Sequence, residues 1–361
     1  MTDCLIVGGG IIGMLTAAEL HAAGMAVTLI DKGHTGRESS WAGGGIISPL
    51  YPWRYDDAVT RLAGWSQARY PALAETLIAA GGPDPEYSKN GLLILAPGDT
   101  STALEWAGRF GQSLQPLDQD AISACEPNLD SAAEEAVWLP EVAQIRNPRL
   151  AKSLTHAIRD KIEILEQTEA TQLLIEQDRI RGVGTNAGPI PVERVIICAG
   201  AWSATLLGGI VPPPAIEPVL GQMIIFRHRP GDISRIVLHN DRYLIPRRDG
   251  RILIGSTLEH RGFDKTTTDE AKQALKAFAF AHFPSLQTAE VEHHWAGLRP
   301  GSPSGIPYIG PVTEVDGLYI NAGHFRNGVV LGPASARLMA DLVLGRQAIL
   351  DPGAYAIDAE R

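Results

Sequence analysis

The chain has 361 residues, a length that suits about two domains, and 45% of its residues are hydrophobic. Its 41 acidic residues outnumber its 31 Lys and Arg residues, giving a formal net charge of −10. This composition predicts a globular protein, and the scattered basic residues argue against a nucleic-acid-binding surface. Small molecules are therefore the expected partners.

The first apolar stretch does not have the features of a secretory signal peptide. Asp3 stands before it in place of basic residues, and Glu19 and His21 interrupt it. No other apolar run is long enough to span a bilayer. The three cysteines, Cys4, Cys125 and Cys198, are odd in number and widely spaced, which favours reduced thiols over a disulfide framework. We therefore expect a cytoplasmic protein that is not bound to a membrane.

No metal site is predicted either. His293 and His294 are adjacent, so on a strand their side chains would point to opposite faces and make a poor metal pair.

The first predicted elements form a dinucleotide-binding βαβ unit. Residues 5–7 predict a short strand, 11–23 have the apolar spacing of a helix, and 26–30 predict a second strand. Asp31 follows that strand, where a carboxylate can accept hydrogen bonds from ribose hydroxyls. The turn before the helix carries G-x-G-x-x-G spacing, which aims the helix N-terminus at a pyrophosphate. Its glycines are Gly8, Gly10 and Gly13. This fingerprint does not distinguish FAD from NAD.

The middle of the chain reads as an insertion followed by a return to the first domain. Residues 58–80 predict a helix and 91–96 a strand within the insertion. The return begins with a helix at 150–158 and ends with a strand at 195–198, after which small residues would let the backbone approach a cofactor closely. Between that helix and that strand, further strands are predicted at 162–166, 171–176 and 181–185.

A second insertion begins with the proline-rich stretch 211–218. Its segments 222–227, 243–246 and 251–256 alternate like antiparallel strands, which indicates a substrate domain made of sheet. A last strand at 318–322, a Gly-rich turn and an apolar helix from about Val329 aim a second helix N-terminus at a ligand.

Five segments together resemble the D-amino acid oxidase family of FAD flavoproteins, most closely its glycine oxidase branch. In chain order they are VGGGIIG, ESSWAGGGIISP, VIICAGAWS, WAGLRPGSPSGIPYIGP and NAGHFRNGVVLGPA. The resemblance implies an α/β fold with a Rossmann-like FAD-binding domain of the glutathione-reductase type and an α+β substrate domain built on an antiparallel sheet. The implied FAD-binding domain is discontinuous and comprises 1–85, 141–212 and 300–361. The implied substrate-binding domain comprises 86–140 and 213–299.

The resemblance also implies how FAD is held. Glycines of the first turn would contact the pyrophosphate, Asp31 the adenosine ribose, and Ser39 and Ser40 the phosphate or ribityl oxygens. The run 43–46 would bring backbone against the flavin ring. No cysteine lies near Arg299, where a covalent linkage would be expected, so the FAD should be non-covalent. The implied cofactor-binding residues are Gly8, Gly10, Ile11, Ile12, Gly13, Asp31, Lys32, Ser39, Ser40, Gly43, Gly44, Gly45, Ile46, Ala170, Ala199, Gly200, Trp202, His324, Phe325, Arg326, Asn327, Gly328 and Val329.

Three residues are implied to act on the substrate. Arg299 resembles the family's arginine that grips the substrate carboxylate through two parallel hydrogen bonds, a geometry that lysine cannot reproduce. Tyr243 resembles the tyrosine that helps to hold the same carboxylate, and the backbone carbonyl of Arg326 would accept from the substrate amine. From position alone, such an arginine would be a solvated surface charge and such a tyrosine a packed ring.

The implied reaction is oxidative deamination of glycine and of small D-amino acids or N-methylglycine. A hydride would pass from the substrate Cα to flavin N5, the imino acid would hydrolyse to an oxo acid and ammonia, and O₂ would become H₂O₂. No protein acid or base is required, because positioning and electrostatics account for the catalysis. The imine of glycine would supply thiazole synthesis for thiamine. The family often forms tetramers, so we expect a homo-oligomer.

Alternatives to this function stay open at the level of sequence. One is a D-amino acid dehydrogenase that passes electrons to a quinone, and another is a broad D-amino acid oxidase that prefers bulkier substrates. A third is a flavin-binding protein without the reaction. The aromatic and proline-rich segment 49–54 bears on the substrate, because it would either roof the pocket or form a rigid connection packed against the helix at 58–80.

Overall fold

The computed structural model describes residues 2–210 and 213–361. Met1, Val211 and Pro212 lie outside the described residues. The start of the predicted proline-rich stretch and the predicted domain boundary at 212 therefore fall on residues that are not described.

The helices and strands that the sequence predicts occur in the predicted order, among others that it does not predict. The strands are β1 (Cys4–Val7), β2 (Val27–Ile30), β3 (Leu92–Leu95), β4 (Gln115–Asp118), β5 (Glu135–Leu139), β6 (Glu163–Leu165), β7 (Ala170–Glu176), β8 (Arg179–Thr185), β9 (Gly188–Pro191), β10 (Val195–Ile197), β11 (Glu217–Arg227), β12 (Ile236–His239), β13 (Arg242–Pro246), β14 (Arg251–Gly255), β15 (Val291–Gly301), β16 (Tyr308–Pro311) and β17 (Leu318–Ala322). The helices are α1 (Ile11–Ala22), α2 (Ser39–Ala42), α3 (Asp57–Ala79), α4 (Thr100–Phe110), α5 (Gln119–Cys125), α6 (Asn147–Ile158), α7 (Ser203–Leu207), α8 (Asp269–His282) and α9 (Gly328–Val343).

Three sheets organise these elements. A six-stranded sheet has the order β16-β17-β10-β1-β2-β6 and is parallel except for the pair β16 and β17. An eight-stranded sheet has the order β15-β11-β14-β13-β12-β3-β5-β4 and is antiparallel except where β12 pairs with β3. The third sheet, β7-β8-β9, is antiparallel. The predicted α/β class, with a parallel nucleotide-binding sheet and a separate antiparallel sheet, is confirmed.

The six-stranded sheet is covered on both faces, which explains why β1 and β2 are continuous apolar runs. Ile6 packs with residues of α1 and α9 such as Met14 and Leu331. Its neighbour Leu5 faces the other way and packs in a separate cluster that includes Val183 of β8. The helices therefore cover one face of the six-stranded sheet, and the three-stranded sheet covers the other.

The eight-stranded sheet also has two different faces. One face packs against α8 through Leu275 and Phe278. The opposite face carries Met223 and Tyr243, which pack in one cluster with Ile46. This face is turned towards the nucleotide-binding part of the fold. This second face supplies the substrate side of the site described below.

Several elements begin earlier than the sequence predicts or were not predicted. β11 begins at Glu217, inside the predicted proline-rich stretch, and its residue Pro218 lies opposite Pro300 of β15. α6 begins at Asn147, three residues before its first predicted residue, and its second residue is a proline, which suits a helix start. α4, α8 and β15 are elements that the sequence analysis did not predict. None of the helices in the described part of the chain is long and apolar enough to cross a bilayer.

Candidate active site

A cavity of about 540 Å³ is lined by residues of both the six-stranded and the eight-stranded sheet. Its wall includes the carboxyl ends of β1, β2 and β10, where ligands bind in open α/β sheets. Every residue predicted to bind the cofactor or the substrate lines this cavity, except Gly13. The volume lies in the range of ordinary small-molecule and cofactor sites.

Gly8 and Gly13 are fixed by close backbone packing. Gly8 has φ +115°, and a Cβ there would overlap the carbonyl of Cys198, the residue that follows the neighbouring strand β10. A Cβ at Gly13 would overlap the carbonyl oxygen of Gly8. Gly13 therefore allows α1 to approach the turn, and it is not among the residues that line the cavity.

Asp31 holds the glycine turn as well as facing the cavity. Its Oδ2 accepts from the Gly9 amide at 2.8 Å, and its Oδ1 accepts from the Gly33 amide at 2.7 Å. Burial raises the pKa of the Asp31 carboxyl, although these two hydrogen bonds act in the opposite direction. A carboxylate oxygen has more than one lone pair, so the same group can still accept from a ribose hydroxyl.

Ser39 and Ser40 line the cavity in different hydrogen-bonding states. The Ser40 Oγ accepts from the Ile11 amide at 2.8 Å, which leaves its hydroxyl proton free to be donated to an anion. The Ser39 hydroxyl donates to the Leu298 carbonyl, so its oxygen can offer only an acceptor to a ligand. Of the two, Ser40 is the better match for phosphate.

Two helix N-termini lie at the cavity. α1 contributes Ile11 and Ile12 to the wall, and α9 contributes Gly328 and Val329. The free amides and the positive dipole end of each helix favour negative charge there. Next to α9, His324 is 1% exposed and its Nε2 lies 3.0 Å from the Ser335 Oγ. Burial lowers the pKa of His324 to about 3, so its ring is neutral near pH 7.

A cation and an aromatic ring meet at another part of the wall. The Lys32 Nζ lies 3.4 Å from the ring centroid of Trp202, which is a cation–π arrangement. Trp202 also stacks on Phe263, with ring centroids 5.4 Å apart. Burial lowers the pKa of Lys32, although Glu38 acts in the opposite direction.

Arg299 and Tyr243 enter the cavity from the same face of the eight-stranded sheet. Arg299 is on β15 and Tyr243 on β13, and between these strands lie β11 and β14. A Cβ at Gly221 of β11 would overlap the Arg299 guanidinium, and a Cβ at Gly255 of β14 would lie 2.8 Å from the Tyr243 hydroxyl oxygen. The two glycines on the intervening strands therefore make room for the two side chains to converge.

The guanidinium of Arg299 is held in place by the protein. Its Nη1 donates to the carbonyls of Leu220 and Thr257, each at 3.2 Å, and its Nη2 donates to the Ser256 Oγ at 2.6 Å. Burial lowers the pKa of Arg299, and the neighbouring Tyr243 acts in the opposite direction. The charge remains, because an arginine is not deprotonated in proteins.

A second guanidinium, that of Arg326, faces the same cavity. Its Nη1 lies 3.9 Å from the carboxylate of the exposed Asp241. Its Nε is buried and has no hydrogen-bond partner among residues 2–210 and 213–361. The proximity of Arg326 is one cause that lowers the pKa of Arg299, so the substrate side of the cavity carries two cations.

The segment 49–54 is mostly a packed connection. Leu50 alone of these residues contributes to the cavity wall. Tyr51 donates to the Asn240 carbonyl at 2.7 Å, and Trp53 lies edge-on to Tyr51 and close to Trp106 of α4. The rings therefore pack mainly on α4, a helix that the sequence analysis did not predict, and they do not roof the cavity.

Sequence reasoning missed several residues that line the cavity or support the side chains lining it. Gly221 and Gly255 act through partners on other strands, and nothing in their local sequence marks that role. Asn147 is fully buried and lines the cavity as the first residue of α6, directly before Pro148. An asparagine before a proline at a helix start was the available signal, and it is a weak one. Ser256, Met223 and Cys198 also line the cavity, and the sequence analysis did not assign them to the site.

The wall fits a bound dinucleotide such as FAD. The glycine turn leaves no room for side chains, and two helix N-termini face the cavity. Both amide atoms of Asn147 and the Nδ2 of Asn327 are buried without a partner within the described residues. A metal ion has no comparable place, since the described residues bring no group of three or more His, Cys, Asp and Glu side chains together.

Comparison with known proteins agrees with this geometry. Residues 3–342 match the family described as DAO, FAD dependent oxidoreductase. A protein of Pseudomonas aeruginosa named glycine oxidase is 51% identical over 98% of this chain and 97% of its own length. A Synechocystis protein named bifunctional protein ThiO/ThiG is 30% identical over 100% of this chain but 54% of its own length. The crystal structure of glycine oxidase from Bacillus cereus has a TM-score of 0.90 at 32% identity, with 96% of each chain covered.

Proposed function

The chain belongs to the DAO family of FAD-dependent oxidoreductases, and from this premise we propose that it is a glycine oxidase. The observation that carries the proposal is the convergence of Arg299 and Tyr243 over Gly221 and Gly255, at the wall of the cavity that fits FAD. Such an arrangement suits a small amino acid, because a charged fork and a hydroxyl meet where a carboxylate can be held.

Arg299 binds the substrate carboxylate. Its guanidinium is already fixed by Leu220, Thr257 and Ser256, so little side-chain freedom is lost when the carboxylate binds. The Tyr243 hydroxyl donates to the same carboxylate. The two contacts together hold the substrate Cα in one orientation, which is how positioning lowers the barrier.

Arg299 and Arg326 also act on the substrate amine. Two positive charges beside the amine disfavour its ammonium form and so favour the neutral form, which has a lone pair available for imine formation. Bound FAD would supply the redox chemistry, as the acceptor of a hydride from the substrate carbon and the donor of two electrons to O₂, which with two protons would give H₂O₂. The imino product of glycine takes up water and gives glyoxylate and ammonia.

We propose that the cofactor contacts are those implied by the resemblance, with Gly13 serving the packing of α1. The two helix N-termini, the Ser40 hydroxyl and the Asp31 carboxylate support this assignment. We propose the same division of the chain, with 1–85, 141–212 and 300–361 holding FAD, and 86–140 and 213–299 carrying most of the substrate side. Arg299 and Tyr243 both fall in the second group.

We also propose that the imine of glycine supplies thiazole synthesis. The Synechocystis relative supports this role, because its name pairs ThiO with ThiG and the present chain matches only about half of it. A strain that lacks this chain should then grow poorly without added thiamine or thiazole, and growth should return with either supplement. Normal growth without them would exclude the role.

We propose a cytoplasmic location and assembly as a homo-oligomer. The location is supported by Cys4, Cys125 and Cys198, all of which are unpaired. The oligomer, with the tetramer as the family's frequent form, rests on the resemblance. Light scattering during size-exclusion chromatography measures the mass of the assembly directly.

The deciding experiment adds glycine to the purified protein without oxygen and then admits air. Bleaching of the flavin absorbance by glycine, followed by recovery with release of peroxide, is the expected result. Bleaching without recovery in air would indicate a dehydrogenase instead. Bleaching only by sarcosine or by larger D-amino acids would replace glycine as the substrate.

A further inference from the structure

Asn147 is the least satisfied polar side chain of the cavity wall. It is 0% exposed, yet neither its Nδ2 nor its Oδ1 has a hydrogen-bond partner in the part of the chain that the structure describes. Both atoms belong to a residue that lines the cavity. A buried amide without partners costs free energy, so such groups in proteins normally have a partner that is either water or a ligand.

An asparagine outside the cavity wall, Asn90, does not share this property. Asn90 donates from Nδ2 to the Ser234 carbonyl at 2.8 Å, and its Oδ1 accepts from the Gln144 amide at 2.8 Å. Asn90 does not line the cavity, and its amide is satisfied by protein alone. The amide of Asn147 is thus left for whatever fills the cavity.

The side-chain amide of Asn147 packs against the glycine run 43–45. A Cβ at Gly43 would lie 2.6 Å from the Asn147 Nδ2, and a Cβ at Gly45 would lie 2.5 Å from its Oδ1. Side chains at these two positions would displace the amide. The glycines therefore keep a donor and an acceptor side by side at the cavity wall.

A buried cation fixes the same run from behind. The Arg247 Nη2 donates to the Gly44 carbonyl at 2.6 Å, and its Nη1 donates to the Gln144 Oε1 and to the Ile145 carbonyl. Gly45 in turn accepts from the Ile145 amide at 2.8 Å. These contacts tie the run to the segment that leads into Asn147, so the amide has little freedom to turn elsewhere for a partner.

The position of the glycine run 43–45 indicates which part of a bound FAD would lie near Asn147. A Cβ at Gly44 would lie 3.0 Å from Cε2 of Tyr243, the residue that holds the substrate. The redox-active ring of FAD has to lie beside the substrate, whereas its adenosine belongs near Asp31. Asn147 is therefore next to the ring.

We propose that the Asn147 carboxamide hydrogen-bonds the FAD ring, donating from Nδ2 to a ring carbonyl and accepting at Oδ1 from the ring N–H. A carboxamide matches these amide-like ring groups because each partner offers one donor beside one acceptor. The inference rests on the proposed function, in that the cavity has to hold FAD with its ring at Tyr243.

The test compares the effect of a substitution at Asn147 on FAD binding with its effect on the stability of the FAD-free protein. Asn147→Leu replaces the amide with an apolar group of similar size. Affinity for FAD should fall by about 10-fold to 100-fold, because a buried hydrogen-bond partner is lost. Stripped of FAD, the full-length variant should melt at the same temperature as the parent or higher, since an unsatisfied buried amide has been removed. The absorption spectrum of the bound flavin should also shift.

Asn90→Leu is the matched control. It removes an amide that the protein itself satisfies, so it should lower the melting temperature while leaving the flavin spectrum unchanged. Asn147→Asp is the second variant, to be used if the leucine variant does not fold. It keeps the shape and an acceptor but loses the Nδ2 donor, and it too should weaken FAD binding and shift the flavin spectrum.

The outcomes separate this inference from the proposed function. A parent protein that binds no FAD would overturn both. A parent that binds FAD and oxidises glycine, with Asn147 variants that match its FAD affinity within about twofold, would overturn the inference alone. A leucine variant whose FAD-free form is destabilised like Asn90→Leu would assign Asn147 a structural role and would also overturn it.

Discussion

Arg299 lies across Gly221, so that a Cβ at Gly221 would come closer than 3.0 Å to Nη1, Nη2 and Cζ of the guanidinium. The strand pairing explains this contact. Arg299 on β15 is opposite Val219 on β11, and Gly221 is the next residue along β11 on the same face. The position of the Arg299 guanidinium therefore depends on the absence of a side chain on the neighbouring strand.

Gly221→Ala should disable substrate binding without unfolding the protein. The group that a new methyl would meet is the end of a long flexible side chain, so the guanidinium moves and the sheet stays. Loss of a charged two-pronged contact predicts a roughly 100-fold fall in kcat/KM for glycine, with FAD content nearly unchanged. The melting temperature should fall only modestly, because the bonds of the guanidinium to Leu220, Thr257 and Ser256 are weakened while the strand pairing is kept. Steady-state peroxide assays and thermal melts measure both quantities.

Gly310→Ala is the control for that substitution. Gly310 is also a strand glycine, on β16, but a Cβ there would meet nothing within 4 Å. Its kinetics and stability should stay close to those of the parent. Equal kinetics for the two alanine variants would show that the room above Gly221 is not needed.

Arg299→Lys tests the two-pronged contact itself. A lysine ammonium can hold a carboxylate only as a point charge, and it cannot replace the bonds to Leu220, Thr257 and Ser256 at the same time. We expect KM for glycine to rise by roughly 100-fold while the bound FAD per chain stays the same. Unaltered kinetics would remove Arg299 from the substrate site.

The sequence predicts a part of this site well when the residues that form it are close together in the chain, and poorly when they come from distant segments. The turn at Gly8 and the acid at Asp31 belong to one βαβ unit, so their spacing alone indicates their places. Gly221 and Asn147 act through residues on other elements, and only the assembled sheets bring those partners together. Without the family resemblance, Arg299 itself would have been interpreted as a surface charge.

Asp31→Ala should reduce the retention of FAD during purification. The carboxylate holds the amides of Gly9 and Gly33 and faces the cavity, so the substitution loosens the glycine turn and also removes a ribose acceptor. We expect FAD affinity to fall by about 10-fold or more. Asp31→Asn keeps one acceptor oxygen and should lie between the parent and the alanine variant. A fully yellow, fully active alanine variant would contradict the assignment.

Acid precipitation of the holoprotein should release all of its FAD into the supernatant. Cys198 is the cysteine that lines the cavity, and burial raises the pKa of its thiol, so it stays protonated and unreactive near pH 7. The mass of the intact denatured chain should equal that of the sequence alone. A yellow pellet, or an added flavin mass, would demonstrate a covalent link.

His324 should make the protein less stable as the pH falls. Burial lowers its folded pKa to about 3, whereas an unfolded histidine has a pKa of about 6.5. Between these values the unfolded chain binds a proton that the folded chain does not. The free energy of unfolding therefore decreases on acidification, by up to about 1.4 kcal/mol per pH unit from this residue.

The histidine contribution can be isolated with His324→Gln, whose amide remains neutral and can still reach the Ser335 hydroxyl that His324 contacts at 3.0 Å. Urea unfolding in saturating FAD at pH 6.5, 5.5 and 4.5 gives the free energy of unfolding of parent and variant as a function of pH. The two slopes are then subtracted, so that the titration of all other groups cancels. We expect the variant to lose less stability than the parent over this interval. Parallel curves would mean that His324 takes up a proton in the folded protein as readily as in the unfolded chain. That result would contradict its burial in the cavity wall beside α9.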